Sequence, residues 1–308
     1  DQAFKTQMFR LVDVLPACRT DAEVLRHIEE YLSGIDVPKV FDFGLDLAPK
    51  VPFGAKASAV VMRRNVIRMA RQFIAGETPV EAMAVLEKLW RSGEAATVDL
   101  LGEKTITHAD ADAYAHRALE LLEAMAAATK SWPANEILEH DPYGVLARTN
   151  ISVKPTALSP LFGPLTAETG MADALSRLRP MLEKANELGA TVHLDMEHYD
   201  VKDVTLNFLH AVGEEFADGP QLGIVIQAYL RDSFDDLSAL IDWSATTLSK
   251  PLQIRLVKGA YWDAETIHSR AEGWSVPVFE QKRHTDANYE RCVRLMVERA
   301  GDVRPAFA

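Results

Sequence analysis

Residues 252–265 read LQIRLVKGAYWDAE, and this stretch decides the fold. Its first half, 252–257, is a short apolar run that predicts a buried strand, with Arg255 set among the apolar side chains. Gly259 then lets the backbone turn, and a lysine, Tyr261 and a tryptophan lie beside that turn. A buried strand that opens through a glycine onto cations and aromatic rings is typical of the site-bearing end of an α/β barrel. An ordinary strand followed by a solvated loop is the alternative, and the rest of the chain has to distinguish the two.

Short apolar runs alternate with helical periodicity from residue 95 onward. This alternation predicts a parallel sheet with right-handed crossovers. No Gly-x-Gly-x-x-Gly motif follows any run, which disfavours an open dinucleotide-binding sheet. The predicted fold class is therefore α/β, a (β/α)8 TIM-type barrel of which this chain covers about six strands. The runs comprise residues 96–101, 150–153, 191–194, 222–228, 252–257 and 305–308.

The segment before the barrel reads as helical. We assign residues 1–90 to an N-terminal helical arm and residues 91–308 to the barrel, because helical spacing runs through the first part, whereas in the second it alternates with short apolar runs. Thr78 with Glu81 predicts a capped helix start near the end of the arm. Since a barrel of this type closes with eight strands, we expect the polypeptide to continue beyond Ala308.

Composition narrows the class of protein. Hydrophobic residues make up 48% and charged residues 25% of the 308, as in soluble globular proteins. No apolar run approaches the roughly 20 residues that a membrane-spanning helix needs. The formal charge of −12 repels phosphate backbones, so we expect no nucleic-acid binding by this segment. Cys18 and Cys292 are too far apart in sequence to form a metal or redox motif.

Each predicted strand ends on polar residues that could take part in chemistry. The carboxyl ends of parallel barrel strands meet at one face, so these side chains should lie close together. Buried charges without partners would be too costly, which predicts ion pairs or a charged ligand among them. In strand order the residues are Asp99, Lys154, Asp195 with Glu197, Gln227 with Arg231, and Arg255, Lys258 and Tyr261.

The same residues indicate what kind of ligand could bind. The cations Lys154, Arg255 and Lys258 suit a carboxylate or a pyrophosphate. The amide of Gln227 both donates and accepts, which suits the pyrimidine edge of a flavin. Tyr261 and its neighbouring tryptophan offer apolar faces to a ring.

Three other hypotheses remain at this point. His193, Asp195 and Glu197 alternate along one predicted strand, so they could ligate a metal from one face. Lys154 or Lys258 could form a Schiff base, as in barrel aldolases, if burial lowers the pKa of its amine. A barrel fragment acting only as a scaffold is the third possibility.

Several segments, taken together, resemble flavin-dependent proline dehydrogenase, most closely the proline dehydrogenase part of the bifunctional bacterial proline utilization A family. The likeness covers most of the chain, including the N-terminal arm, and the run RLVKGAYWDAE is its most specific part. The segments are VDLLGE (98–103), SVKPTAL (152–158), HLDMEH (193–198), VIQAYLR (225–231), RLVKGAYWDAE (255–265), VFEQKRHTD (278–286) and RPAFA (304–308).

This resemblance implies a barrel that carries FAD and oxidises L-proline to pyrroline-5-carboxylate, the first step of proline catabolism. Hydride would pass to flavin N5, and the flavin would then pass electrons to a quinone. A pyrroline-5-carboxylate dehydrogenase module would follow in the same polypeptide. The resemblance also implies a cytoplasmic protein, peripheral to the inner face of the membrane, that forms a homo-oligomer.

The family's functional residues map onto positions of this chain. Lys154, Asp195 and Tyr261 match residues around the proline, and Arg255 matches a group that contacts the flavin ring. The remaining matches to cofactor-binding residues are Asp99, Gln227, Lys258, Gly259, Trp262, Lys282 and Thr285.

Two departures from the family pattern bear on the site. Pro155 and Thr156 follow Lys154 where the family more often has leucine and serine, and the proline removes one backbone donor. The two consecutive arginines that hold the proline carboxylate in the family would lie beyond Ala308.

Overall fold

The chain divides into two compact units, Asp1–Glu81 and Ala82–Ala308. Most of the arm predicted for residues 1–90, including all of 33–73, lies outside the described residues. Within the first unit, helix α1 (Asp21–Leu32) is described. The structure, a computed structural model, describes residues 7, 10, 14, 17–32, 74–102 and 104–308.

Six parallel strands form one sheet in the second unit. Their order across the sheet follows their order along the chain. With right-handed crossovers, this order places all the helices on one face and curls the sheet, whereas a doubly wound sheet reverses its order. The strands are β1 (Val98–Asp99), β4 (Asn150–Val153), β5 (Thr191–Leu194), β6 (Gln221–Gln227), β7 (Leu252–Val257) and β8 (Val303–Phe307), and a separate antiparallel pair comprises β2 (His140–Asp141) and β3 (Gly144–Val145).

Helices fill the connections between these strands. Helix α3 (His108–Thr129) begins with a complete capping box between Thr107 and Asp110, and α6 (Ala167–Leu188) ends at Gly189 in the left-handed conformation, with φ of 64°. None of the helices in the described ranges is long and apolar enough to cross a membrane. The helices are α2 (Pro79–Arg91), α3 (His108–Thr129), α4 (Glu136–Glu139), α5 (Pro155–Leu158), α6 (Ala167–Leu188), α7 (Lys202–Glu215), α8 (Ser233–Thr247), α9 (Trp262–Glu272) and α10 (Lys282–Glu298).

A contact across the concave side shows how strongly the sheet curves. Asn150 in β4 donates to the amide oxygen of Gln253 in β7 at 3.2 Å. Two strands lie between them, so a flat sheet would hold these backbones about 14 Å apart at roughly 4.8 Å per strand. The side chains therefore meet inside a curved sheet, which agrees with the predicted barrel.

Burial follows the same geometry. Strands β4, β5 and β6 are buried along their whole length, as expected for parallel strands covered on both faces. In β7 buried residues alternate with partly exposed ones, and Arg255 falls on the partly exposed face with Gln253. The period of two thus aims Arg255 at the barrel interior, as its contacts below confirm.

The predicted strands differ from the observed ones mainly at the two edges. The run 96–101 forms a strand only at Val98–Asp99, because only these residues pair with β4. The last strand begins at Val303, two residues before the predicted run, because its pairing with β7 already starts opposite Leu252. Arg304 interrupts the apolar pattern there, which hides the strand start in the sequence.

Candidate active site

Four charged side chains lie in a row at the carboxyl ends of the strands. Asp195, which follows β5, accepts from Lys154 Nζ at 3.2 Å and from Arg255 Nη2 at 2.5 Å. The same ammonium group of Lys154 donates to Asp99 Oδ2 at 2.6 Å. Two cations and two carboxylates therefore balance, so none of the four is a buried charge without a partner.

Strand pairing and a buried serine hold this row in place. The N–H of Asp195 donates to the carbonyl of Val153 at 2.9 Å, which extends the β4–β5 ladder past the strand end. Ser152 donates its hydroxyl to Asp195 Oδ1 and accepts from Arg255 Nη2 at 3.4 Å. A hydroxyl can do both because it is donor and acceptor at once. Sequence reasoning gave Ser152 no role, since one small polar residue in a strand carries no pattern.

Burial and ion pairing act against each other on the pKa values of this row. Burial raises the pKa of Asp99, although the hydrogen bond from Lys154 opposes this. Burial alone would lower the pKa of Lys154, but the hydrogen bond to Asp99 and the charge of Asp195 raise it above its ordinary value. Lys154 is therefore an ammonium ion at neutral pH.

The backbone of Lys154 has its own support. Its N–H donates to the hydroxyl of Tyr114, a buried residue of α3, at 3.0 Å. Pro155 is the first residue of α5, where a missing N–H costs nothing because that group would have no helical partner. The proline therefore leaves Lys154 in place. The role of Tyr114 is not predictable from the sequence, because the residue lies within an ordinary apolar helix face.

Gln227, the last residue of β6, presents one free acceptor. Its Nε2 donates to the carbonyls of Met196 and Glu197, both at 3.2 Å. These two acceptors fix the orientation of the amide, because the reversed amide would set oxygen against oxygen. Oε1 is buried and has no partner among the described residues. It fits an N–H donor on a bound ring, such as the pyrimidine edge of a flavin.

Glu197 is held by Thr156. The backbone N–H and hydroxyl of Thr156 donate to its carboxylate at 3.2 and 2.7 Å. Burial raises the pKa of Glu197, although these hydrogen bonds oppose the shift. Threonine keeps the hydroxyl of the serine that the family resemblance leads one to expect, so this departure preserves the contact.

Only glycine fits at the turn after β7. Gly259 has φ of +123°, and a Cβ atom there would lie 2.5 Å from the ring of Tyr229. The N–H of Tyr229 donates to the carbonyl of Lys258 at 2.8 Å. The buried tyrosine therefore packs under the turn and fixes where the following residues emerge.

Two aromatic residues follow that turn. Tyr261 is half-buried, precedes α9, and its ring centroid lies 4.2 Å from that of His198. Trp262 donates its indole N–H to the carbonyl of Phe279 at 2.9 Å. Tyr261 therefore belongs to the strand-end site, while Trp262 is tied to the segment before α10.

Other predicted site residues form a second, exposed cluster. Asp286 accepts from Lys258 at 2.7 Å and from Lys282 at 2.6 Å. Thr285, adjacent on α10, is buried. Arg231 lies apart from both groups, because its Nε donates to a backbone carbonyl at 3.1 Å in the segment before α10. The predicted residues thus occupy two clusters rather than one.

The hypothesis of a metal bound by His193, Asp195 and Glu197 is not supported. His193 bonds to Gln253 at 3.1 Å, while the two carboxylates bond to the residues described above. Burial lowers the pKa of His193 to about 4, so it is neutral. Strand β5 ends at Leu194, and the alternation that would align the three side chains ends with it. Within residues 17–32, 74–102 and 104–308, no three His, Cys, Asp or Glu residues could hold a metal ion.

Comparison with family models matches most of the chain. The model described as proline dehydrogenase matches residues 82–308, and the model described as proline utilization A N-terminal domain matches residues 1–73. The second unit of the structure coincides with the first of these matches.

Individual relatives agree with the family models. The bifunctional protein PutA of Klebsiella aerogenes is 32% identical over 243 residues, which are 78% of this chain and 18% of that protein. The proline dehydrogenase of Deinococcus radiodurans is 31% identical over 232 residues, 75% of this chain and 62% of that protein. The chain thus spans less than a fifth of the length of the bifunctional relative.

A solved structure supports the fold as well. The crystal structure of proline utilization A from Bdellovibrio bacteriovorus, inactivated by N-propargylglycine, matches all of this chain with a TM-score of 0.85. Sequence identity is 38%, and the match covers 30% of that protein chain. The TIM-type barrel predicted from the sequence is confirmed. This chain belongs to the proline dehydrogenase family.

Proposed function

We propose that this chain oxidises L-proline to pyrroline-5-carboxylate with FAD as cofactor, the first step of proline catabolism. The observation that carries the proposal is Asp195, shared between Lys154 and Arg255 at the strand ends. One carboxylate there holds a cation for an anionic substrate beside a cation for an electron-accepting ring. The name of the relative from Deinococcus radiodurans, proline dehydrogenase, points to the same substrate.

Lys154 and Tyr261 are the groups we assign to the substrate. Lys154, kept protonated by its two carboxylate partners, offers its charge to the carboxylate of proline. Tyr261 offers one face of its ring to the pyrrolidine. Asp195 contacts both Lys154 and Arg255, so it sets the distance between the substrate and cofactor sides of the site.

Arg255 and Gln227 are the groups we assign to the flavin ring. Bound FAD supplies the acceptor for a hydride from C5 of proline, while the proline nitrogen loses its proton to leave the cyclic imine. Arg255 places a positive charge where negative charge collects on the reduced ring. The buried acceptor of Gln227 selects a ring N–H. The other cofactor contacts we propose are Asp99, Lys258, Gly259, Trp262, Lys282 and Thr285.

We assign residues 1–90 to a helical arm and 91–308 to the barrel, as parts of a longer bifunctional enzyme. The bifunctional relative is several times longer than this chain, and the family resemblance implies that the second activity would be pyrroline-5-carboxylate dehydrogenase. Electrons would pass to a quinone, which would require peripheral contact with the inner face of the membrane. The enzyme would be cytoplasmic and would form a homo-oligomer. The charge of −12 remains the reason to expect no nucleic-acid partner.

The Schiff-base alternative has weaker support. A nucleophilic lysine needs a lowered pKa. The pKa of Lys154 is raised, and the hydrogen bond to Asp286 likewise raises that of Lys258. Both amines are therefore protonated at neutral pH, whereas a Schiff-base nucleophile must be deprotonated.

The full-length protein tests the proposal directly. Its visible spectrum should show flavin bands that bleach when L-proline is added without oxygen. Lys154→Ala should raise the KM for proline about tenfold or more while FAD content stays unchanged. Lys202→Ala, which also removes a buried lysine paired with aspartates, should lower stability without a comparable change in KM.

Two results would contradict the proposal. One is a protein without flavin bands that borohydride traps on Lys154 or Lys258 in the presence of substrate, as an aldolase would be. The other is a flavin-loaded protein that proline does not reduce, which would leave a scaffold role.

A further inference from the structure

His198 lies against the ring that we assign to the substrate. Its imidazole and the phenol ring of Tyr261 have centroids 4.2 Å apart and planes tilted by 42°. Histidine comes from the loop after β5, whereas tyrosine comes from the loop after β7. Contact between aromatic rings contributes free energy in addition to that gained by burying their apolar surface.

A buried carboxylate fixes the histidine in this position. Glu265, in the first turn of α9, accepts from His198 Nδ1 at 3.3 Å and from the N–H of Tyr199 at 2.9 Å. The side chain of Glu265 is 8% exposed, while that of His198 is 51% exposed. A carboxylate only accepts, so Nδ1 carries the proton in this contact.

Glu265 also belongs to the backbone turn that presents Tyr261. Its N–H donates to the carbonyl of Tyr261 at 2.9 Å. The same residue therefore holds the tyrosine through its backbone and the histidine through its carboxylate. Together the three residues clamp the loops after β5 and β7, and the imidazole covers one side of the phenol ring.

We propose that His198 is a positioning residue that sets the ring of Tyr261 for substrate binding, with Glu265 as its anchor. This inference rests on the proposed oxidation of proline. His198 acts through Tyr261, so its loss should weaken binding of the substrate and leave the cofactor groups unaffected. The proposal separates two contributions of His198, the contact of its tilted ring with Tyr261 and the hydrogen bond to Glu265.

Kinetics of the flavin-loaded full-length protein test the first contribution. In His198→Ala, KM for proline should rise about three- to tenfold, while kcat stays within about twofold of the parent. His198→Phe keeps a ring but cannot donate to Glu265, so it should restore most, but not all, of the KM for proline. His198→Asn keeps a donor for Glu265 without a stacking ring and should resemble His198→Ala.

A second histidine stack gives a matched control. His210 in α7 and Trp243 in α8 have ring centroids 4.4 Å apart and planes tilted by 16°. His210→Ala removes a comparable stack away from the strand ends and should leave KM unchanged. A KM for His198→Ala within about twofold of the parent, or rescue by asparagine and not phenylalanine, would overturn the proposal.

A structural readout separates this proposal from the proposed activity. With 13C-labelled histidine, Tyr261→Leu should move the ring proton resonances of His198, because the ring current of the stacked phenol is lost. Unmoved resonances would overturn the stack whatever the enzyme catalyses. If the resonances move but proline does not reduce the parent's flavin, the proposed function fails and the stack stands without its proposed substrate.

Discussion

Two clusters in the described part of the chain share one arrangement, an aspartate between two cations, in buried and in exposed surroundings. Asp195 lies between Lys154 and Arg255, at 3.2 and 2.5 Å. Asp286 lies between Lys258 and Lys282, at 2.7 and 2.6 Å. The side chain of Asp195 is 12% exposed and that of Asp286 is 35% exposed, and the lysines around Asp286 are more exposed still.

The difference in surroundings gives the two clusters different roles. In the buried cluster, loss of one partner leaves charges that are mostly shielded from water, at a cost of about 3–5 kcal/mol. In the exposed cluster, solvent and salt replace a lost partner, so the pairing contributes little to stability. The buried cluster therefore builds the site, whereas the exposed lysines remain available to a ligand's phosphates.

Loss of Asp195 should destabilise the protein most, because it is the shared partner in the buried cluster. Asp195→Ala leaves Lys154 with one partner and Arg255 with none of its ion pairs, so the free energy of unfolding should fall by about 3–5 kcal/mol. Chemical denaturation of the full-length protein measures this loss. Asp286→Ala is the matched control and should leave the unfolding midpoint unchanged. Equal losses in the two variants would show that burial does not distinguish the clusters.

Arg255→Met tests the chemical side of the buried cluster. Methionine keeps the length of the side chain but removes the charge beside the proposed flavin ring, so flavin reduction by proline should slow about 10²- to 10³-fold. Rapid-mixing absorbance measures the rate.

Arg304, a buried arginine on the neighbouring strand, provides the control for Arg255. It pairs with Asp141 at 3.1 Å rather than with the strand-end residues. Arg304→Met should lower stability without slowing flavin reduction. A normal reduction rate in Arg255→Met would refute the assigned role of Arg255.

The sequence predicts the buried cluster better than it predicts the partners that hold it. Arg255 stands out as a lone charge in an apolar run, and Lys154 and Asp195 stand out at strand ends. Their meeting follows from parallel-strand topology alone. Ser152 and Tyr114 could not be found in this way, because their roles depend on curvature and on packing between segments far apart in sequence.

In the exposed cluster, by contrast, the sequence position of Lys258 predicts the wrong partners. The sequence pattern groups Lys258 with the strand-end cations, because it follows β7 directly. After Gly259 turns the backbone, however, Lys258 pairs with Asp286 on α10. Local sequence determines where a strand stops, but helix packing determines which carboxylate a flexible lysine reaches.

Glu197 differs from both clusters, because it is buried and hydrogen-bonded by Thr156 rather than paired with a cation. Burial raises its pKa above the ordinary 4.5. Its contribution to stability is therefore fully present below about pH 4.5 and is lost as the pH rises through the raised folded pKa. Glu197→Gln should cancel this loss, so its stability relative to the parent should improve from pH 4.5 to pH 7.

Asp173→Asn should change the pH dependence of stability in the opposite direction to Glu197→Gln. Burial would raise the pKa of Asp173, but hydrogen bonds from Ser159 and Arg177 lower it below 3.8. Stability from Asp173 is thus present above pH 3.8 and lost as the pH falls through the lower folded pKa. Unfolding midpoints at several pH values measure both variants. Parallel pH trends in the two would contradict the assigned shifts.

The smallest effect should come from the exposed cluster, and salt should abolish it. If Lys258 and Lys282 contact the pyrophosphate of FAD, Lys258→Ala should weaken FAD binding about threefold at low ionic strength. Asp286→Asn removes the competing carboxylate and should tighten binding by a similar factor. Flavin fluorescence during titration of the apoprotein measures both changes.

Lys184→Ala removes an exposed lysine that pairs with Glu187 on α6, and it should have no effect. Opposite changes that vanish at high salt would assign the exposed cluster to the cofactor, whereas unchanged affinity in both variants would leave it a surface ion pair.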